Sequence, residues 1–164
     1  FYARISDCRF TVMRHSNIYG PHDKFDLERS HVFGATVTKV LSAPEGGNIV
    51  IWGTGEEGRD LVYVDDLADF IEAAVEHQQE AYGLFNVGAG EAIKIKDLVH
   101  RIVAASGKTL EISHDLEKPT IPTTFAIESS RAKEAVGWEA STALDDGIAR
   151  TIDWWRQNIG DDQR

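Results

Sequence analysis

Several residues in this 164-residue chain have the types and neighbours that binding chemistry needs. Arg59 closes the glycine-rich loop Gly53-Thr54-Gly55-Glu56-Glu57-Gly58, and its guanidinium fork suits paired anionic oxygens such as those of a diphosphate. Trp52 stands at the end of the apolar run just before that loop. His15-Ser16-Asn17-Ile18 directly follows another strand-like run, Arg9 to Arg14. In parallel α/β sheets the ligand crevice lies beyond the carboxyl ends of strands, so Ser16 and Asn17 are candidates for hydrogen bonds to a ligand. The alternatives are ordinary: a polar turn before Gly20-Pro21 and a tryptophan that only fills core. Asp65-Asp66 is a possible site for a hard cation, but an aspartate pair at a helix start is explained by capping and the helix dipole. The six histidines show no metal-ligand spacing, so no metal is expected.

The elements that must position these residues follow from periodicity. β-Branched and aromatic residues predict strands at Arg9 to Arg14, Asn48 to Trp52, Leu61 to Val64, Gly83 to Val87 and Leu110 to Ser113. The Gly83 to Val87 run has the character of a buried parallel strand. Apolar residues at helical spacing predict helices after Ser30, taken as an N-cap, after Asp65-Asp66, over Ile95 to Ala105, over Ser130 to Val136, and over about Thr142 to Asn158. Lys118 to Thr124 is irregular and proline-containing, Phe125 to Ile127 is a candidate for brief pairing, and Asp161 to Arg164 is expected to fray. Strands and helices alternate, which argues an α/β fold. Without a repeat or linker, residues 1–164 read as one domain.

Composition narrows the partners. With 42% apolar and 27% charged residues the chain suits a globular domain. A net charge of −10 disfavours nucleic acid and anionic membranes. No apolar run approaches the roughly 18 residues of a membrane span. Cys8, the single cysteine, reads as a buried thiol in a reducing, cytoplasmic setting. The chain opens on Phe1 rather than methionine, which suggests a fragment.

Ser16-Asn17-Ile18-Tyr19-Gly20-Pro21, the block from Trp52-Gly53-x-Gly55 through Arg59-Asp60-x-Val62-Tyr63-Val64-Asp65-Asp66-Leu67-Ala68, and Phe85-Asn86-Val87-Gly88-x-Gly90 occur in register. Lys118-Pro119, Lys133-x-x-x-Gly137-Trp138, Asp146-Gly147-Ile148 and Trp154-Trp155 continue the pattern. Together these resemble the extended short-chain dehydrogenases/reductases, the NAD(P)-dependent nucleotide-sugar epimerase and dehydratase family. The resemblance implies the C-terminal, substrate-binding part of an extended Rossmann-fold enzyme, including its last parallel strands. The family's Gly-x-x-Gly-x-x-Gly loop and Tyr-x-x-x-Lys pair do not occur in this sequence. The expectation is therefore that the dinucleotide-binding part is absent and that these residues alone do not turn over substrate. A stand-alone, non-catalytic nucleotide-sugar-binding or interaction module is the alternative.

The resemblance also implies roles. His15, Ser16, Asn17 and Ile18 would lie beside the NAD or NADP of the full-length parent, and Lys39, Trp52 and Arg59 would contact the nucleotide-diphosphate sugar. Gly20 to Asp26 leading into Ser30-His31-Val32 resembles the GDP-L-fucose synthase group. That gives His31 the role of general acid, which an imidazole titrating near neutrality can fill. GDP-L-fucose synthases commonly follow Lys-Pro with Asp-Gly-x-Pro-Arg, whereas this chain has Thr120-Ile121-Pro122-Thr123-Thr124. Lys118 is then a source of the missing positive charge. A homodimer or higher association is expected, from an uncovered sheet edge and apolar face.

Overall fold

The run of β-branched and aromatic residues at Phe10 to Val12 begins the first strand, β1 (Phe10–His15), where the pattern predicts it. The computed structural model describes residues 1–160. A single 3-10 turn, Tyr2–Arg4, precedes β1. In chain order the remaining elements are β2 (Asn17–Tyr19), α1 (Val32–Ser42), β3 (Asn48–Trp52), β4 (Gly58–Tyr63), α2 (Val64–His77) and β5 (Tyr82–Val87). They are followed by β6 (Ala92–Lys94), α3 (Ile95–Ser106), β7 (Glu111–Asp115), α4 (Ser130–Val136) and α5 (Leu144–Asn158). The architecture is α/β with parallel pairing dominant, as expected. The expected fraying of the last four residues lies outside the described residues.

Among the described residues three short sheets carry the strands. β1 pairs with β5 in parallel, Phe10 opposite Tyr82 and His15 opposite Val87. β2 pairs in parallel with β4, which pairs antiparallel with β6 on its other side. β3 and β7 form a parallel pair. β2 and β6, three residues each, carry too little periodicity to be seen in sequence.

Two apolar clusters hold these layers. The larger joins α1, β3, β4, α3 and α5 through Phe33, Ile51, Leu61, Leu98, Ile102 and Ile152. The smaller gathers Val62, Phe70, Phe85, Val87, Val136 and Trp138, with Phe70 edge-on to both Phe85 and Trp138. β5 buries Gly83, Phe85 and Val87 on this side and leaves Leu84 and Asn86 half-buried, so it is a one-faced strand rather than one buried throughout.

Several local expectations are corrected. Cys8 is exposed rather than buried, because it precedes β1, whose residues are mostly exposed and whose sole partner strand among the described residues is β5. The N-cap of α1 is His31, not Ser30, and no side chain caps that helix. Arg59 lies within β4 instead of closing a loop. Asp65 and Asp66 sit in the first turn of α2, where the helix dipole favours them, but neither caps it. Asp66 is buried and accepts hydrogen bonds from the backbone and hydroxyl groups of Ser141 and Thr142. It thereby ties the start of α2 to the chain entering α5. Phe125 to Ile127 forms no strand.

Candidate functional site

Two neighbouring cavities meet at the start of α1. The first, of about 530 Å³, is lined by His15 to Lys24 together with His31, Val64 and Phe125. It opens beyond the carboxyl end of β1, and β2 forms its floor. The second, of about 290 Å³, lies between α1, β3 and α3, and its lining includes Ser30, Val32, Lys39, Trp52, Pro119 and Thr120. His31 therefore faces one cavity and its two sequence neighbours face the other.

In the first cavity the structure brings together His15, Ser16, Asn17, Ile18 and His31. The Ser16 backbone amide donates to the Val87 carbonyl at 2.9 Å, tying this stretch to the end of β5. Its side chain is buried, and its Oγ has no hydrogen-bond partner. A buried hydroxyl without a partner is costly, so this atom is a ready contact for a ligand group. Asn17 Nδ2 donates to the Asp60 carbonyl at 3.1 Å, and the His15 ring Nδ1 lies 2.7 Å from the Ser16 carbonyl oxygen. His31 is exposed at the helix start.

The second cavity brings Lys39 and Trp52 together. The Trp52 indole is 51% exposed, far from a core tryptophan. Lys39 Nζ lies 6.0 Å from its ring centre and Lys118 Nζ 5.6 Å. Two ammonium groups thus lie over the ring of a half-exposed tryptophan, within cation–π reach. Lys39 Nζ also donates to the Val50 carbonyl at 2.9 Å, and burial pushes its pKa down. Gly53, just beyond Trp52, has its α-carbon covered by the Thr120 methyl group, so a side chain there would collide with it.

Arg59 is not among the residues lining either cavity. Its guanidinium donates to the carbonyls of Gly58 at 2.8 Å, Thr123 at 2.7 Å and Ile121 at 3.1 Å. It grips the irregular segment that runs past both cavities, Pro119 and Thr120 bordering the second and Phe125 the first. Asp60, the next residue on β4, holds the same segment from its other end through the Ile127 amide at 2.8 Å. Sequence reasoning missed this clamp, and it also missed Asp23, which lines the first cavity with its Oδ2 buried and unpartnered. An aspartate after Gly-Pro-His carries no signal separating it from any turn aspartate.

With this geometry in hand, known proteins supply the comparison. The model of the NAD dependent epimerase/dehydratase family matches residues 2–88. A GDP-L-fucose synthase from Sinorhizobium fredii is 32% identical over 162 residues, 98% of this chain and 51% of the relative. GDP-L-fucose synthase 1 of Arabidopsis thaliana is 33% identical over 148 residues, 88% of this chain and 45% of the relative. Among solved structures, a UDP-glucose 4-epimerase from Thermotoga maritima with UDP-glucose superposes with a TM-score of 0.83 at 28% identity, covering 97% of this chain and 50% of that one. A UDP-N-acetylglucosamine 4-epimerase from Methanobrevibacter ruminantium, TM-score 0.84 at 18% identity over 96% of this chain and 49% of that one, shares the fold. The chain thus spans about half the length of the curated relatives it matches.

Proposed function

The chain belongs to the NAD dependent epimerase/dehydratase family, and on that premise we propose that it is the nucleotide-sugar-binding half of an NAD(P)-dependent epimerase or dehydratase. The observation that carries this reading is the exposed Trp52 indole, which with Lys39 lines the cavity next to the one holding His31 and has the Lys39 and Lys118 ammonium groups over its ring. A nucleotide base packs by the indole, the Lys39 and Lys118 ammonium groups serve the diphosphate, and the sugar extends toward His31, while Arg59 supports the site by holding the segment that borders both cavities.

The residues fit one end of a dinucleotide as well. Ser16 Oγ, buried and without a partner, offers both a donor and an acceptor to a carboxamide, and His15, Asn17 and Ile18 line the same cavity. A dinucleotide held there would supply hydride acceptance and return at a sugar carbon, with His15 to Ile18 as the residues that would hold it. His31, which lines the same cavity, supplies or removes a proton at that sugar as general acid or base.

Isothermal titration with UDP-, GDP- and CDP-linked sugars tests the proposal. At least one should bind, and Trp52→Ala should weaken it about tenfold or more, or roughly 1.4 kcal/mol. No binding by any of the three, or binding indifferent to Trp52→Ala, would overturn it.

A further inference from the structure

The segment from Lys118 to Ile127 forms no strand or helix, yet it is closely seated. Three glycines lie beneath it. A Cβ at Gly53 would collide with the Thr120 methyl group, one at Gly58 would stand 2.6 Å from the Thr124 methyl carbon, and one at Gly88 2.9 Å from the Ile127 Cβ. Three consecutive residues of β4 hold the segment as well. The Gly58 amide donates to the Thr124 hydroxyl at 2.8 Å, the Arg59 guanidinium donates to the Ile121 and Thr123 carbonyls, and the Asp60 carboxylate accepts the Ile127 amide. These grips are unequal. Asp60 is fully buried and accepts two further amides, whereas the Arg59 bonds are exposed, and water competes there for the same groups.

This segment is also the wall that can yield. The cavity beside Trp52, of about 290 Å³, is at the small end for a ligand of nucleotide size. Its walls from β3 and α3, with Ile49, Ile51, Ile95 and Val99, belong to the larger apolar cluster. Pro119 and Thr120 form an irregular side of it, and Phe125 borders the first cavity. Ile121 and Phe125 are 68% and 44% exposed, apolar surface that closure on a ligand would cover. We propose that Lys118 to Phe125 is a strap that opens and closes over both cavities as one unit, hinged at Ile127. It rests on the function proposed above only for the identity of the ligand admitted. Irregular chain held by exposed hydrogen bonds opens at lower cost than the core, and such covers gate ligand entry.

Native-state hydrogen exchange on the ligand-free chain tests the strap, so absent nucleotide-sugar binding would leave its result intact. The amides of Gly58 and of Thr123, which is bonded to the Ile121 carbonyl within the strap, should exchange through one shared opening. Ile127 at the hinge and the buried Ile102 of α3 should stay protected meanwhile. Arg59→Gln should speed exchange at Gly58 and Thr123 about tenfold or more and leave Ile127 and Ile102 unchanged. Exchange of Gly58 only together with Ile102, or rates indifferent to Arg59→Gln, overturns the proposal and makes the segment a fixed wall. Should Arg59→Gln fail to fold, Thr124→Val, which removes the acceptor of the Gly58 amide, is read at Thr123 instead: faster exchange supports the strap, and an unchanged rate sinks it.

Discussion

Tyr19 and Gly147 are in direct contact, and any side chain at position 147 would collide with the Tyr19 hydroxyl. Tyr19 ends β2 and is 1% exposed, packed between Phe33 and Tyr63. Gly147 lies in α5. The contact joins two stretches of family resemblance that are far apart in the chain, and it fixes the floor of the His31 cavity against the last helix. Gly147→Ala should gain about 1 kcal/mol of helix propensity and lose about 1–3 kcal/mol to overpacking. The expected net is a lower midpoint in urea denaturation. A raised midpoint would show that Tyr19 yields easily.

Asp23 makes a pH-dependent prediction. Burial raises its carboxyl pKa, so the folded chain holds this proton more tightly than the unfolded chain, whose aspartates titrate near about 3.9. The resulting stability is full below that value and is lost as pH rises through the folded pKa. Asp23→Asn, which keeps an acceptor for the Lys24 amide, should therefore melt higher than the wild type at neutral pH. The gap should close on acidification to the ordinary carboxylate range, as followed by thermal melts across pH.

Asp60 is fully buried and accepts three backbone amides, from Ala89 at 2.9 Å, Gly90 at 3.1 Å and Ile127 at 2.8 Å. Asp60→Asn turns an acceptor into a donor facing an N–H group. The expected cost is about 2–3 kcal/mol, read as a lower chemical-denaturation midpoint. Because Ile127 closes the segment that Arg59 also grips, nucleotide-sugar affinity should fall in the same variant.

Phe10, Val12 and Tyr82 are exposed on the paired β1 and β5. An apolar strand with one partner is a template for association. Light scattering of this polypeptide should show mass rising with concentration, and Val12→Lys should suppress that rise. A monomer at every concentration would contradict it.

Much of the fold was legible because strand and helix periodicities are local. β3 runs over Asn48 to Trp52 and α4 over Ser130 to Val136, as the apolar spacing predicts, and the Gly107 and Gly137 helix ends are left-handed as glycine allows. The site was legible in part. His15 ends a strand whose carboxyl end opens on a cavity, Ser16 to Ile18 continue along that cavity, and the Trp52 indole is at a surface.

The sequence by itself determined the fold class, the family and the types of side chain available, since these rest on patterns a few residues long or on motifs in register. Only the tertiary structure decided which partner each polar group takes. Arg59 bonds to carbonyls of Ile121 and Thr123, Asp66 caps the Ser141-Thr142 turn rather than its own helix, and Cys8 is left uncovered. The physical reason is that a buried charge is satisfied by whatever donor or acceptor packing brings to it, and those groups lie sixty or more residues away in the chain.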